Sequence, residues 1–182
     1  MNAITSRDPF LILKEIEQRS LQHAQGLPQQ PQVQRLWSGI GVRLGKTRLL
    51  IPVDQVNEMI RSPRLTRVPG VKNWVRGVTN IRGNLLPVID LSAALGGAVG
   101  GHSSKARVLI MERPELSAGL LVDEVLGLRQ FFEENRQETP SDIDGFPGMI
   151  FDGVFQQNDE SWGVITAGRL AKYPDFMQVA LH

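Results

Sequence analysis

The three histidines are the residues that could most readily bind a metal ion or transfer a proton. His23 ends a helical segment, His102 lies in a stretch of glycine and serine, and His182 is the last residue. None of them has a second histidine or a carboxylate at the short spacing that a zinc site requires. The chain has no cysteine, which excludes thiolate metal sites and thiol nucleophiles. We therefore interpret the histidines as surface residues and predict neither a metal site nor a cofactor.

Acidic residues are the next candidates for catalysis, but the sequence does not bring them together. Asp123 and Glu124 follow an apolar strand, whereas Asp142 and Asp144 lie in a polar loop. The chain contains no G-x-S-x-G nucleophile elbow, P-loop or G-x-G-x-x-G motif. The glycine-rich residues 96–101 lack the lysine and hydroxyl residue of a phosphate loop, which indicates a flexible connector. A small hydrolase using Asp123 or Glu124 remains an alternative, but we predict a protein that is not an enzyme.

Charge is unevenly distributed along a chain whose net charge is close to zero. Residues 133–144 carry five acidic residues and one arginine. Residues 61–82 carry no acid, and their basic residues are Arg61, Arg64, Arg67, Lys72, Arg76 and Arg82. These segments are either solubilising loops or patches that steer a complementary partner. A nucleic-acid-binding barrel is a further alternative, but Trp74 is the only aromatic residue in the basic segment, so we predict no nucleic acid partner.

The first 35 residues are predicted to form a helix and a linker that precede the main domain. Asp8 can cap a helix over residues 8–24, and a proline follows at the first helical position. The narrow apolar stripe of this helix, which favours docking on a surface over filling a core, consists of Phe10, Leu13 and Ile16. Residues 25–34 are polar and contain prolines, as in a linker. No apolar run approaches the roughly 20 residues of a membrane span, so we expect a cytoplasmic protein without membrane insertion.

Alternating apolar residues predict a series of short strands from Leu36 onward. The predicted strands cover residues 38–44, 47–53, 56–60, 75–81, 85–91, 107–112, 118–122, 125–128, 149–156 and 161–165. The strand over residues 85–91 is apolar on both faces and is expected to be buried on both sides. A helical turn follows it, and a second helix, capped by Thr166 and ended by Pro174, closes the domain.

This pattern predicts an all-β fold with few helices. Two sets of about five strands, joined around residues 96–105, indicate two small barrels that share one core. The domain is expected to span residues 36–173, with residues 174–182 as a C-terminal tail. No internal sequence repeat supports the duplication.

The segment from Trp74 to Leu91 places an arginine at the tip of a predicted hairpin. Asn80 and Gly83, which flank Arg82, both tolerate left-handed backbone angles. On these residues alone, a good turn with a solvated arginine explains the segment better than a recognition site does, because surface arginines are common.

The same segment resembles a known family. Gly77-Val78-Thr79-Asn80-Ile81-Arg82-Gly83, followed by Pro87-Val88-Ile89-Asp90-Leu91, is similar to the G-V-x-N-x-R-G-x-x-x-P-V-x-D-L signature of the CheW family of bacterial chemosensory adaptors. The resemblance extends over roughly residues 36–172. Further matching segments are residues 41–45, 50–59, 67–70 and 118–125.

The resemblance implies a fold, partners and a set of contact residues. It implies two five-stranded SH3-like barrels that share an apolar interface. It also implies an adaptor that links the cytoplasmic tip of a methyl-accepting receptor to the regulatory domain of a CheA-type histidine kinase. The residues that it assigns to partner binding are Val56, Gly77, Asn80, Arg82, Gly83, Val125 and Leu128.

Both ends of the chain indicate which members of the family it resembles most. The long N-terminal segment and the short last strand, Trp162–Thr166, resemble the family members that serve the type IV pilus system and twitching motility. A flagellar chemotaxis adaptor of the same family is the alternative. The chain has neither a phosphorylatable histidine helix nor an ATP-binding region, which favours a separate adaptor over the regulatory part of a kinase.

Overall fold

A computed structural model describes residues 9–23, 35–61, 63–97, 104–140 and 142–179. The chain divides into two units, residues 1–34 and residues 35–182. In the first unit, helix α1 (Pro9–His23) matches the predicted helix, and its Glu15 and Arg19 side chains form an ion pair at 3.0 Å. The apolar side chains Phe10, Leu11, Leu13 and Ile16 are exposed. The predicted Asp8 cap and the linker over 25–34 lie outside the described residues.

The second unit is built from two five-stranded sheets and confirms the predicted all-β fold. Its strands are β1 (Leu36–Leu44), β2 (Thr47–Pro52), β3 (Glu58–Ile60), β4 (Val75–Ile81), β5 (Asn84–Asp90), β6 (Arg107–Glu112), β7 (Ser117–Val122), β8 (Glu124–Phe132), β9 (Asp142–Ile143), β10 (Phe146–Pro147), β11 (Phe151–Gln157) and β12 (Glu160–Ile165). Its helices are α2 (Leu91–Ala94), α3 (Ala167–Lys172) and α4 (Pro174–Met177). We call the sheet with strand order β11-β12-β2-β1-β8 the first barrel and the sheet with order β3-β6-β7-β5-β4 the second barrel.

Each sheet curls because the chain leaving one edge strand pairs with the opposite edge strand. After β3, Thr66 exchanges two hydrogen bonds of 2.8 Å with Val78 of β4. After β8, Gln137 exchanges hydrogen bonds of 2.8 and 3.1 Å with Val154 of β11. Each sheet also contains one parallel pair, β2 with β12 and β5 with β7. The two barrels therefore have the same kinds of strand pairing, although the sequence shows no repeat.

The division between the barrels differs from the predicted junction at residues 96–105. Strands β1 and β2 pair with β8, β11 and β12, whereas β3 to β7 form the other sheet. The chain therefore crosses between barrels after β2 and again after β7, and the glycine-rich segment connects α2 to β6 within the second barrel. The prediction failed because alternation identifies strands but not their partners. The parallel register that joins Leu50 to Val164 has no local signal.

Three apolar clusters form the core of this unit. Along each central strand, neighbouring residues point to different clusters, as the period of two requires. Leu49 and Ile51 belong to a shared core with residues from both barrels, whereas Leu50 belongs to a cluster within the first barrel. Val88 belongs to a cluster within the second barrel, and Ile89 to the shared core. The shared apolar interface is therefore confirmed, as is the two-sided burial of β5 from Leu86 onward.

The C-terminal residues that were predicted to be a tail pack against the domain instead. Thr166 caps α3 by accepting a hydrogen bond from Arg169 N at 3.3 Å, as predicted, and Pro174 ends that helix but also begins α4. Phe176 of α4 is 1% exposed, and its ring stacks on that of Trp74 at 6.1 Å between centroids. The backbone N–H of Lys72 donates to the Val179 carbonyl at 2.9 Å. The described C-terminus therefore borders the start of β4.

An ion-pair cluster connects β1 and β8 of the first barrel to the approach to β6 of the second. Arg43 donates to Glu124 Oε2 through Nη2 at 2.7 Å and through Nε at 3.1 Å. Lys105 Nζ lies 3.1 Å from Glu124 Oε1. Hydrogen bonds from Arg43 and then from Lys105 lower the pKa of Glu124 below its ordinary value of 4.5.

This lowered pKa predicts a pH-dependent contribution to stability. Because the folded state holds the carboxylate in its charged form, its contribution is complete above the ordinary pKa and is lost as the pH falls through the lowered value. The free energy of unfolding of the wild type should exceed that of Glu124→Gln at pH 7, and the difference should close below pH 4.5. Urea unfolding of both proteins across this range measures the difference. A gap of constant size would contradict the role of the charge.

Candidate partner-binding site

The hairpin between β4 and β5 has a two-residue turn with an arginine at its tip. The register pairs Ile81 with Asn84, so Arg82 and Gly83 form the turn. Their φ angles are 51° and 91°, the pattern of a type I′ turn. Asn80, which the sequence had suggested for a left-handed angle, lies in β4 instead, and its Oδ1 accepts a hydrogen bond from Gly83 N at 2.8 Å. We call Asn80–Asn84 the hairpin tip.

The left-handed backbone conformation of Arg82 is unfavourable, and its side chain is too exposed to compensate through burial. A non-glycine residue in this conformation costs about 1 kcal/mol. The Arg82 side chain is 81% exposed and therefore contributes little through burial. Such strain at an exposed charged residue is typical of positions that serve contact rather than stability.

Polar contacts fix the hairpin tip to the neighbouring strands of the second barrel. Arg82 Nη2 lies 2.9 Å from Glu58 Oε2 at the start of β3. Asn84 Nδ2 donates to Glu112 Oε1 of β6 at 3.3 Å, and the Glu112 N–H donates to Asn57 Oδ1 at 2.9 Å. Sequence reasoning missed Glu58 because nothing in the sequence places it beside an arginine that follows it by 24 positions.

Exposed apolar side chains flank these polar contacts. Met59, which follows Glu58, is 48% exposed, and Leu85, which follows Asn84, is 67% exposed. Leu85 had been expected to be buried with the rest of β5, but it pairs with Asn80 beside the turn. The hairpin region therefore offers a cation bordered by apolar groups, a combination that suits protein contacts.

The three aliphatic residues assigned to partner binding lie along the border of the shared core. Val56 and Val125 are half-buried and pack against that core. Leu128 is 60% exposed and pairs with Ile40, which also packs against the core. The 3-10 turn that precedes Val56 contacts β1, and the N–H of Asn57 donates to the Ile110 carbonyl of β6 at 2.8 Å, so residues of both barrels meet at this border. We call Val56, Val125 and Leu128 the groove rim, after the receptor groove that the family resemblance implies.

Gly77 differs in its setting from the residues of the hairpin tip and the groove rim. It is buried at a bulge in β4 and has a φ of 138°. A Cβ atom there would lie 2.5 Å from the Thr66 carbonyl oxygen, in the bridge between the edge strands. The geometry therefore indicates a structural role for Gly77 in the second barrel.

The described part of the chain shows neither a candidate metal site nor a membrane-spanning helix. Among its residues, no three histidine, cysteine, aspartate or glutamate side chains are grouped so that they could hold a metal ion. None of its helices combines the length and apolar character needed to cross a bilayer.

Comparison with known proteins identifies the family. The model of the CheW-like domain matches residues 38–173. Protein PilI of Pseudomonas aeruginosa is 38% identical over 95% of this chain and 97% of its own length, and chemotaxis protein CheW of Helicobacter pylori is 27% identical over 88% and 96%. The crystal structure of the scaffolding protein TtCheW from Thermoanaerobacter tengcongensis superposes with a TM-score of 0.67 at 24% identity, over 72% of this chain and 89% of that one, which shows the fold. The chain belongs to the CheW-like family, as its hairpin signature predicted.

Proposed function

We propose that this protein is a non-catalytic adaptor that links the cytoplasmic tip of a methyl-accepting chemoreceptor to the regulatory domain of a CheA-type histidine kinase. Membership of the CheW-like family of scaffold proteins supports this class of function. The observation that carries the narrower proposal is the 38% identity to PilI over 95% of the chain. It supports a role in the type IV pilus system that drives twitching motility. The adaptor acts in the cytoplasm, at receptor arrays beneath the inner membrane.

The proposed mechanism uses two separate surfaces of the CheW-like domain. The groove rim offers aliphatic anchors from both barrels, which suits the apolar face of a receptor helix. The hairpin tip provides the second surface, where Arg82 lies between exposed apolar residues. Because one protein holds both partners, binding of the first raises the effective concentration of the second, and modest affinities can build an array.

Substitution of Leu128 tests the receptor surface. Leu128→Ser removes an exposed apolar anchor, and we expect the affinity for a purified receptor cytoplasmic fragment to fall about tenfold, since burying a leucine contributes roughly 1.5 kcal/mol. Stability should change little, because the side chain is 60% exposed in the free protein. Calorimetric titration measures the affinity.

A matched control lies on the neighbouring strand. Leu36 is 58% exposed at the start of β1 and pairs with Phe132, at the far end of β8 from Val125. Leu36→Ser should leave receptor affinity unchanged. Equal losses in the two variants, or no loss in either, would contradict the groove rim as the receptor site.

A flagellar chemotaxis pathway is the second candidate, supported by the 27% identity to chemotaxis protein CheW of H. pylori over 88% of the chain. The two pathways differ in the kinase that they use. Titration of the protein with the regulatory domains of the pilus and flagellar kinases from one organism distinguishes them. Tighter binding to the flagellar kinase would contradict the pilus assignment and leave the adaptor function intact.

A further inference from the structure

The segment between β3 and β4 forms a groove that the proposed adaptor surfaces do not use. It has a volume of about 500 Å³. Its charged lining residues are Arg67, Lys72 and Arg76, and its aliphatic ones are Leu65, Val68, Val71 and Val75. We call it the basic groove. None of the residues assigned to receptor or kinase binding lines it.

The cations of the basic groove have no carboxylate partner among the described residues. Neither Arg67, Lys72 nor Arg76 forms an ion pair with a carboxylate in the described part of the chain. Arg43 and Arg82, by contrast, each have a glutamate partner at 2.7 and 2.9 Å. Because residues 61–82 contain no acid, their field is of one sign and attracts an anionic partner.

The groove also exposes apolar surface. Leu65 is 36% and Val68 is 37% exposed, while Val75 is half-buried. The hydrogen bond from Lys72 to Val179 brings a further valine, 41% exposed, to the same border. A small inorganic anion would cover none of these side chains, so the lining fits a ligand that carries both carboxylates and aliphatic groups.

We propose that the basic groove docks an acidic segment of a partner protein in which glutamate or aspartate alternates with aliphatic residues. Such a segment can satisfy the three cations while its apolar side chains cover Leu65 and Val68. Nucleic acid fits less well, because Trp74 is 6% exposed and stacked on Phe176 and therefore offers no surface for bases. This surface goes beyond the proposed adaptor function and does not depend on it.

A fluorescently labelled peptide of alternating leucine and glutamate tests the proposal by anisotropy with the full-length protein. We expect it to bind at least tenfold more tightly than a peptide of alternating serine and glutamate, which has the same charge. Arg67→Glu should weaken binding about tenfold. Lys46→Glu, an equal charge reversal at the exposed turn between β1 and β2, should not. Val68→Ser should weaken the leucine peptide and leave the serine peptide unaffected.

Other outcomes overturn the proposal. They are equal affinity for the two peptides, equal losses in the Arg67 and Lys46 variants, or tighter binding to anionic phosphatidylglycerol vesicles or to single-stranded oligothymidine than to the leucine peptide. Methyl chemical shifts of the unsubstituted protein provide a test that does not depend on variant folding. The Val68 and Val75 methyl signals should move on titration with the leucine peptide, and their constancy would also refute the site.

Discussion

Arg82→Asp is expected to weaken association with the kinase regulatory domain, the receptor fragment or both, while the fold remains intact. The affinity should fall at least about tenfold, which corresponds to about 1.4 kcal/mol of binding free energy. The fold should persist because aspartate tolerates the left-handed angle and suits the first position of a type I′ turn before Gly83. The lost ion pair with Glu58 joins two partly exposed groups and is worth no more than about 1 kcal/mol. Calorimetric titration with each partner and urea unfolding measure the two effects.

Two further substitutions separate charge from turn geometry. Arg82→Lys keeps the charge and should retain most of the affinity. Arg82→Asn introduces a residue that suits the turn but removes the charge, so the affinity should fall. Unchanged binding of Arg82→Asp to both partners would refute the contact role of the hairpin tip. If the variant unfolded instead, Arg82 would be a structural residue and its high exposure would need another explanation.

Local features of the fold could be predicted from the sequence, whereas pairing between distant strands could not. The β4–β5 hairpin and the cap of α3 depend on residues close in sequence, and they were located correctly. The partition of strands between the barrels was wrong, because β2 pairs with β12 more than 100 residues later. The docking of α4 was missed for the same reason, since the partner of Phe176 is the distant Trp74.

The residues of the family signature have different structural and binding roles. The sequence alone could not assign a role to each residue. Asp90 is buried and caps α2 by accepting a hydrogen bond from Ala93 N at 3.3 Å. Asn80 and Gly83 shape the turn. Of the signature residues predicted to contact partners, Arg82 has a side chain that is 81% exposed. The ion pair between Arg82 and Glu58 could not be predicted from the sequence, because β3 and the hairpin tip meet only when the barrel forms.

Gly77→Ala is expected to destabilise the domain by about 3 kcal/mol or more, which makes it the substitution with the largest effect on folding. At a φ of 138°, an L-residue is strained, and its Cβ atom would lie 2.5 Å from the Thr66 carbonyl oxygen and 3.0 Å from the carbonyl carbon. Both atoms belong to the backbone bridge with Val78, so relief of the clash would break the contact between the edge strands. The urea midpoint should fall accordingly.

Gly83→Ala is the matched control for this prediction, because it separates backbone strain from the clash. Gly83 has a φ of 91° in the same hairpin, but nothing lies within 4 Å of the position that a Cβ atom would take. Its substitution should therefore cost only about 1 kcal/mol, the price of the left-handed angle alone. The difference between the two variants measures the contribution of the tight approach to Thr66. If Gly77→Ala were as stable as Gly83→Ala but lost partner binding, Gly77 would be a contact residue after all, and the second barrel would not depend on this bridge.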